Sequence, residues 1–170
     1  MSMNTSRGYT LIELMVAVGL FAIIMTLAAG AYLLMINANR QAQARASGIN
    51  NLAFAAETML RTIRTGRNYT CGTSGDCTNG GTTFSVIDQN GAQQTFSSAN
   101  GAITQNGIAL TDPSVTITSL TFYARGTAVA PTDYLQPYAI VTITGTVSAG
   151  PNATQSFNVE TSAAMRGSDI

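Results

Sequence analysis

The distribution of apolar residues divides the chain into an apolar segment near its N-terminus and a more polar remainder. Twenty of the 23 residues from Leu14 to Ile36 are apolar, and no charged residue lies between Glu13 and Arg40. A helix over this segment would be roughly 34 Å long, which is enough to cross a hydrocarbon core of about 30 Å. The pattern therefore predicts a membrane-spanning helix.

A cleaved secretory signal peptide is the alternative interpretation of the same segment. Ala29-Gly30-Ala31 offers a small-residue cleavage site. The apolar core of a signal peptide, however, is usually about 7–15 residues long, and this run is longer. A signal peptide also carries positive charge directly before its apolar core, whereas this run follows Glu13. The anchor is therefore favoured, and Arg7, the one cation before the run, favours a cytoplasmic N-terminus.

A helical apolar pattern continues beyond the anchor. Apolar residues recur at steps of three and four, which is the spacing of one helix face. The residues of this stripe are Ala38, Ala42, Ala46, Ile49, Ala53, Ala56, Leu60 and Ile63. No proline occurs before Pro113, and Gly66 is a plausible end. The pattern predicts that an amphipathic helix over residues 37–65 packs its stripe against a domain.

The rest of the chain alternates between short β-like runs and turn signals. Asn90-Gly91 and Asn106-Gly107 each predict a β-hairpin turn. The predicted strands are Thr83–Asp88, Ala92–Ser97, Ile103–Gln105, Ile108–Thr111, Val115–Tyr123, Tyr138–Val147 and Gln155–Ser162, and Pro131 and Pro137 confine Ala124–Gln136 to a loop. The expected fold class is α+β, with the long N-terminal helix packed on an antiparallel β-sheet.

Composition excludes most familiar enzyme chemistry. The 170 residues include eight Lys or Arg, all of them Arg, eight Asp or Glu and no His. Without His there is no Ser-His-Asp or Cys-His catalysis, and without Lys there is no Schiff base. The acidic residues are scattered beside turn residues, so we expect no catalytic residue, metal or cofactor. Carboxylates that are distant in sequence can still pair in a fold. A membrane-anchored enzyme is therefore the lesser alternative.

Three cations near the predicted helix end raise the question of nucleic-acid binding. Arg61, Arg64 and Arg67 are followed by Tyr69. Cations also favour a helix C-terminus because they complement its dipole. The formal net charge of zero disfavours nucleic acid as a partner and favours the dipole interpretation.

The two cysteines lie in a segment whose composition predicts a loop, residues 66–83. Cys71 and Cys77 are the only cysteines. In an extracytoplasmic body they would form a small disulfide, with free thiols as the alternative. A zinc site would need further Cys or His ligands, which the sequence lacks.

Glu13 is unusual because it stands at the head of the apolar run. A carboxylate at the edge of a membrane span is costly unless it reaches water or a partner, which makes it a functional candidate. The simpler interpretation is an acid in the first turn of a helix, where the dipole favours it by under about 1 kcal/mol.

The residues around Glu13 carry a resemblance to a known family. Arg7-Gly8-Tyr9-Thr10-Leu11-Ile12-Glu13, followed directly by the apolar run, resembles the N-terminal signal of type IV pilins and of the pseudopilins of type II secretion systems. The resemblance implies that a prepilin peptidase cuts after Gly8 and that Tyr9 becomes the N-methylated first residue, where Phe is commoner in the family. It also implies that Glu13 pairs with the N-terminal amine of a neighbouring subunit during assembly.

The resemblance implies an organisation and a role for the whole chain. Residues 1–8 would be a leader peptide, 9–36 the transmembrane and fibre-core half of the helix, 37–65 its amphipathic half and 66–170 an extracytoplasmic β-rich domain. The chain would be a structural subunit of a bacterial type IV pilus-like or type II secretion-type filament, periplasmic or at the cell surface. Its partners would be prepilin peptidase, other subunits, the inner-membrane platform and the motor ATPase. A minor pilin that binds DNA, a surface or a secreted substrate at the filament tip is the alternative.

Overall fold

The computed structural model describes residues 8–73, 75–128, 132–150 and 153–167. It contains one helix, α1 (Leu11–Thr65), and eight strands in the described ranges. The strands are β1 (Arg67–Cys71), β2 (Thr83–Ile87), β3 (Gln93–Ala99), β4 (Ala102–Gln105), β5 (Ile108–Ala109), β6 (Val115–Arg125), β7 (Tyr138–Ser148) and β8 (Thr154–Ala164). One long N-terminal helix packed against antiparallel β-structure confirms the predicted α+β class.

The chain divides into two compact units, residues 1–41 and residues 42–170, and α1 contributes to both. The N-terminal unit consists of the apolar part of the helix. Gly19 and Gly30, which weaken a helix by about 1 kcal/mol each relative to Ala, lie within its continuous helical hydrogen bonding. α1 continues through both glycines without a break.

Within residues 42–170, α1 buries a face that is rotated from the predicted stripe. Its buried residues are Gly48, Leu52, Ala55, Met59 and Ile63. Of the predicted stripe only Ile63 is buried; Ala56 and Leu60 are half buried, and Ile49 is 55% exposed. The predicted phase was therefore wrong for most of the stripe.

The physical reason for the rotation lies at Gly48. A Cβ on Gly48 would collide with Cγ1 of Val147, so the helix lies against β7 at a position that has no side chain. The stripe was drawn mainly through alanines, and an alanine buries too little surface to decide which face packs. The larger Leu52, Met59 and Ile63 fill the core instead.

The end of α1 lies where the sequence predicts it. The Gly66 N–H donates to the Thr62 carbonyl at 3.0 Å. A Cβ on Gly66 would meet a methyl group of Val86, so this position needs glycine for close packing against β2. The hydroxyl of buried Tyr69 donates to the Ile63 carbonyl at 2.6 Å and ties the last turn to β1.

The first of two antiparallel sheets has five strands in the order β1-β2-β3-β4-β5. The hairpins at Asn90-Gly91 and Asn106-Gly107 are confirmed by the pairs β2–β3 and β4–β5. A third tight turn, Asn100-Gly101, joins β3 to β4, and both residues have positive φ, 52° and 75°. This turn was not predicted from the sequence, although Asn-Gly is the strongest short hairpin signal.

The segment predicted as a loop around the cysteines needs a correction. Its residues Arg67–Cys71 form β1, which pairs with β2. Arg67-Asn68 and Gly72 flank a short run in which Tyr69 and Cys71 are buried. A five-residue strand among turn-forming residues carries little periodic signal, and it is the pairing with β2 that makes it a strand.

The second sheet has three long strands in the order β6-β7-β8, each of 11 residues. The strands predicted at Val115–Tyr123, Tyr138–Val147 and Gln155–Ser162 are confirmed, and each extends by one to three residues. In β7 the alternation of buried and half-buried positions shows one face directed into the core. The predicted loop therefore starts after Arg125, and its Pro131 lies outside the described residues.

The sequence predicted one sheet, whereas the structure has two. We call the short line of contact that joins them the seam. Gly81 and Phe122 exchange backbone hydrogen bonds of 2.8 Å in an isolated bridge between them. The ring of Phe84 lies 5.5 Å from that of Phe122 and 5.3 Å from that of Tyr69, centroid to centroid. One hydrophobic core therefore runs beneath both sheets and against α1.

Candidate functional site

The residues that carry the pilin-like pattern lie at and just before the start of α1. Gly8, Tyr9 and Thr10 precede the helix, and the Tyr9 side chain is 87% exposed. Among the described residues, none lies within 4 Å of the position that a Cβ on Gly8 would occupy. The Gly8–Tyr9 peptide bond is therefore accessible to an external enzyme, while Arg7 lies outside the described residues.

Thr10 fixes where the helix begins. Its Oγ1 accepts a hydrogen bond from the Glu13 N–H at 3.3 Å, and its carbonyl accepts the Leu14 N–H at 3.2 Å. A Thr side chain that accepts from the backbone three residues later is an N-cap, worth about 1 kcal/mol. The N-cap at Thr10 was not predicted from the sequence, although Thr10-x-x-Glu13 is the sequence signature of a capping box.

Glu13 lies exposed in the first turn of α1. The cap uses only the Glu13 backbone N–H. Among the described residues the Glu13 carboxylate has no hydrogen-bond or ion-pair partner. Glu13 sits beside the positive end of the helix dipole, which favours a carboxylate there. Its side chain is therefore free to take a partner from another molecule.

The helix that follows presents a continuous apolar surface. Every large apolar side chain from Leu11 to Met35 is at least 51% exposed. This part of α1 is long and apolar enough to cross a membrane. An exposed apolar surface of this extent on a protein marks contact with lipid or with other apolar helices.

One family model matches this same region. A model of the prokaryotic N-terminal methylation motif matches residues 3–29, which include Gly8, Tyr9, Glu13 and most of the apolar run. The chain thus carries the N-terminal signal of type IV pilins and pseudopilins, as the sequence resemblance predicted. The signal and the apolar helix together fit a membrane-anchored, single-pass protein. Neither the curated proteins nor the solved structures gave a match to the chain.

The cysteine pair is a second feature confirmed by the structure. Cys71 at the end of β1 and Cys77 form a disulfide with a Cα–Cα distance of 5.7 Å. The Cys77 N–H donates to the Ala124 carbonyl on β6 at 3.0 Å. The disulfide therefore closes a small loop at the seam between the two sheets.

Several other charged groups of the described residues have local structural roles. Arg61 Nη2 lies 3.0 Å from Glu57 Oε1 in an exposed pair one helical turn apart. The pKa of Asp88 is lowered chiefly because its carboxylate accepts the Ala92 N–H, with smaller effects from other donors in the turn. The pKa of Asp112 is lowered mainly by the Ser114 N–H. Within the described ranges no three His, Cys, Asp or Glu residues group as metal ligands would.

Proposed function

We propose that the chain is a structural subunit of a bacterial type IV pilus-like or type II secretion-type filament. One observation carries this proposal: the methylation motif runs directly into a helix whose large apolar side chains from Leu11 to Met35 are all exposed. The proposed role is assembly rather than catalysis. The N-terminus would face the cytoplasm, and the β-rich body would lie outside the cytoplasmic membrane.

Processing would come first. Prepilin peptidase would cut after Gly8, and Tyr9 would become the N-methylated first residue. The open surroundings of Gly8 and the exposure of Tyr9 support access to this bond. Cleavage eight residues from the start would remove the leader and leave the apolar helix in the membrane as an anchor.

Assembly would exchange lipid for neighbouring helices around the apolar part of α1. In a bundle of apolar helices an unpaired carboxylate is costly, so Glu13 would need a partner there. The α-amino group of Tyr9 on an adjacent subunit supplies the opposite charge, and it exists only after cleavage. Processing would thereby be coupled to assembly, with the platform protein and motor ATPase as further partners.

The C-terminal part of α1 adds a second surface for neighbours. Ile49 is 55% exposed and Phe54 is 64% exposed. A large aromatic side chain exposed in mid-helix is stabilised when a partner covers it. These residues support contact between subunits beyond the membrane segment. A minor subunit at the filament tip would use the same anchor, and it differs by being scarce in purified fibres.

The experiment that tests the proposal is N-terminal mass spectrometry of the membrane-bound protein. Wild type should begin at N-methylated Tyr9, and Gly8→Ala should accumulate the uncut form. Gly19→Ala is the matched control, since a Cβ there also meets open space but lies outside the cleavage site. A mature N-terminus near Gly30 or Ala31 would instead identify a secretory signal peptide and overturn the proposal.

A further inference from the structure

Four Asn-Gly dipeptides occur in the β-rich part of the chain, at positions 79–80, 90–91, 100–101 and 106–107. Asparagine followed by glycine is chemically labile, because the glycine nitrogen is unshielded by a side chain and can attack the asparagine side-chain amide. The four sites share this chemistry, so their differences come from the fold. The hydrogen bonds of each Asn side chain and each following N–H decide which site reacts.

In two of the sites the attacking nitrogen is engaged. The Gly80 N–H donates to the Cys77 carbonyl at 3.3 Å. The Gly91 N–H donates to the Asp88 carbonyl at 3.0 Å. Attack at either site would first require that hydrogen bond to break.

The other two sites form a matched pair. Asn100-Gly101 and Asn106-Gly107 are both two-residue hairpin turns, and φ of the asparagine is 52° in each. φ of the glycine is 75° in one and 80° in the other. Both asparagines are exposed, and within the described ranges neither glycine N–H has a hydrogen-bond acceptor.

The two asparagine side chains differ. Asn106 Oδ1 accepts the Thr95 N–H at 2.8 Å, and Asn106 Nδ2 donates to Gln94 Oε1 at 2.8 Å. The Asn100 amide makes no such bond with the described part of the chain. Of the four sites, Asn100 alone has neither its side-chain amide nor the following N–H hydrogen-bonded to a described residue.

We propose that Asn100 is a site of spontaneous deamidation in the folded protein. The Gly101 backbone nitrogen bonds to Cγ, the side-chain carbonyl carbon of Asn100. The Cγ–Nδ2 bond of the Asn100 side chain then breaks, and Nδ2 leaves as ammonia with the proton that the Gly101 nitrogen gives up. Water then opens the resulting succinimide at either carbonyl, which yields aspartate or isoaspartate. No oxidant or other co-reactant is needed.

The product would alter the seam between the sheets. The Gly101 carbonyl accepts the Ile117 N–H at 2.7 Å and so ties this turn to β6. Isoaspartate adds one methylene to the backbone of a two-residue turn, which displaces Gly101 from that contact. Either product also adds a negative charge to a chain whose formal net charge is zero.

The test is a time course of the full-length protein in detergent at mildly alkaline pH, read by peptide mapping with isoaspartyl methyltransferase as the probe. Asn100 should deamidate about tenfold faster than Asn106, since two further hydrogen bonds must break at Asn106. In denaturant the two sites should react at similar rates. Equal rates in the folded protein, a faster Asn106 or an unreactive Asn100 would overturn the proposal.

Two variants separate the side-chain effect from a general loss of structure. Gln94→Ala removes the acceptor of Asn106 Nδ2 and should raise the Asn106 rate severalfold while the Asn100 rate stays the same. Asn100→Gly keeps the positive φ without an amide, so it should abolish the early isoaspartate signal. A signal that persists in Asn100→Gly at its wild-type rate would show that another site produces it.

Discussion

At the scale of single residues, two side chains at the start of α1 have separable roles. Thr10 caps the helix through its hydroxyl, and Glu13 takes part in that cap through its backbone N–H. The Glu13 carboxylate is left without a partner among the described residues. A residue whose backbone caps the helix and whose side chain has no partner among the described residues is well placed to act between molecules.

Glu13→Gln should be inserted and cleaved normally but should enter fibres poorly, because the amide cannot neutralise the Tyr9 amine of a neighbour. The measurement is the ratio of fibre-associated to membrane-retained subunit in cells without the wild-type copy. Thr10→Ala is the control: it removes the cap, at about 1 kcal/mol, but keeps the carboxylate, so incorporation should persist. Wild-type incorporation of Glu13→Gln would show that Glu13 is only a helix-start acid.

Asp88 sets a pH dependence at the same scale. Its Oδ1 accepts the Asn90 and Ala92 N–H groups, and its Oδ2 accepts from Gln94 Nε2. These bonds favour the ionised form and lower its pKa, led by the Ala92 N–H. The stability contributed is therefore present above the ordinary carboxyl pKa of about 4 and lost as the pH falls below it.

Asp88→Asn keeps an acceptor oxygen but removes the charge. Its free energy of unfolding should lie below that of wild type at pH 7, and the difference should shrink as the pH falls below about 4, where wild type also loses the charge. Urea unfolding at several pH values measures this. A difference that stays constant across the acidic range would assign the effect to geometry rather than to charge.

At the scale of elements, the packing of α1 on β7 depends on the missing side chain at Gly48. The large side chains Leu52, Met59 and Ile63 occupy the same face one, three and four turns further along and enter the core. The exposed alanines of the predicted stripe lie on another side of the helix. Close approach at one glycine therefore sets the rotation of the whole amphipathic half.

Gly48→Ala should destabilise residues 42–170 by about 1–2 kcal/mol, because overpacking against Val147 outweighs the better helix propensity of alanine. Urea unfolding of the detergent-solubilised protein, followed by tyrosine fluorescence, measures the change. Gly30→Ala in the same helix meets open space and should leave the midpoint unchanged. A Gly48→Ala midpoint equal to wild type would show that Val147 moves aside freely.

At the scale of the whole molecule, the seam between the two sheets is short. Its backbone contacts include the Gly81–Phe122 bridge, the Cys77 N–H to Ala124 carbonyl bond and the contact of Ile117 with the turn at Gly101. The disulfide holds the loop that supplies the first two. Its removal should therefore weaken the joint between the sheets as well as enlarge the entropy of the unfolded chain.

Replacing both Cys71 and Cys77 by Ala should lower the free energy of unfolding by about 2–3 kcal/mol, as expected for so short a closed loop. Reduction of wild type should produce a loss of the same size, and reductant should have no effect on the double variant. Urea unfolding with and without reductant gives both values. A wild-type protein insensitive to full reduction would contradict a stabilising role for the disulfide.

Much of the architecture was predictable because its signals are local. Twenty apolar residues in 23, an Asn-Gly between two β-like runs and a glycine five residues before a glutamate each act through neighbouring atoms, so they can be recognised in the sequence. The anchor, two of the hairpins, the long strands and the methylation motif follow from such signals. The N-cap at Thr10 and the turn at Asn100-Gly101 have equally local signals but were not predicted.

What only the tertiary structure decided depends on residues far apart in the chain. β1 exists because β2 pairs with it, and the two sheets are connected by a bridge between Gly81 and Phe122. The buried face of α1 depends on the close contact of Gly48 with Val147, which lies 99 positions later in the chain. The different surroundings of Asn100 and Asn106 depend on Thr95 and Gln94 across the sheet. Local propensity sets which helices and strands form, whereas contacts between distant residues set how those elements pack. The reason is that the energy of a packing contact depends on both residues that make it.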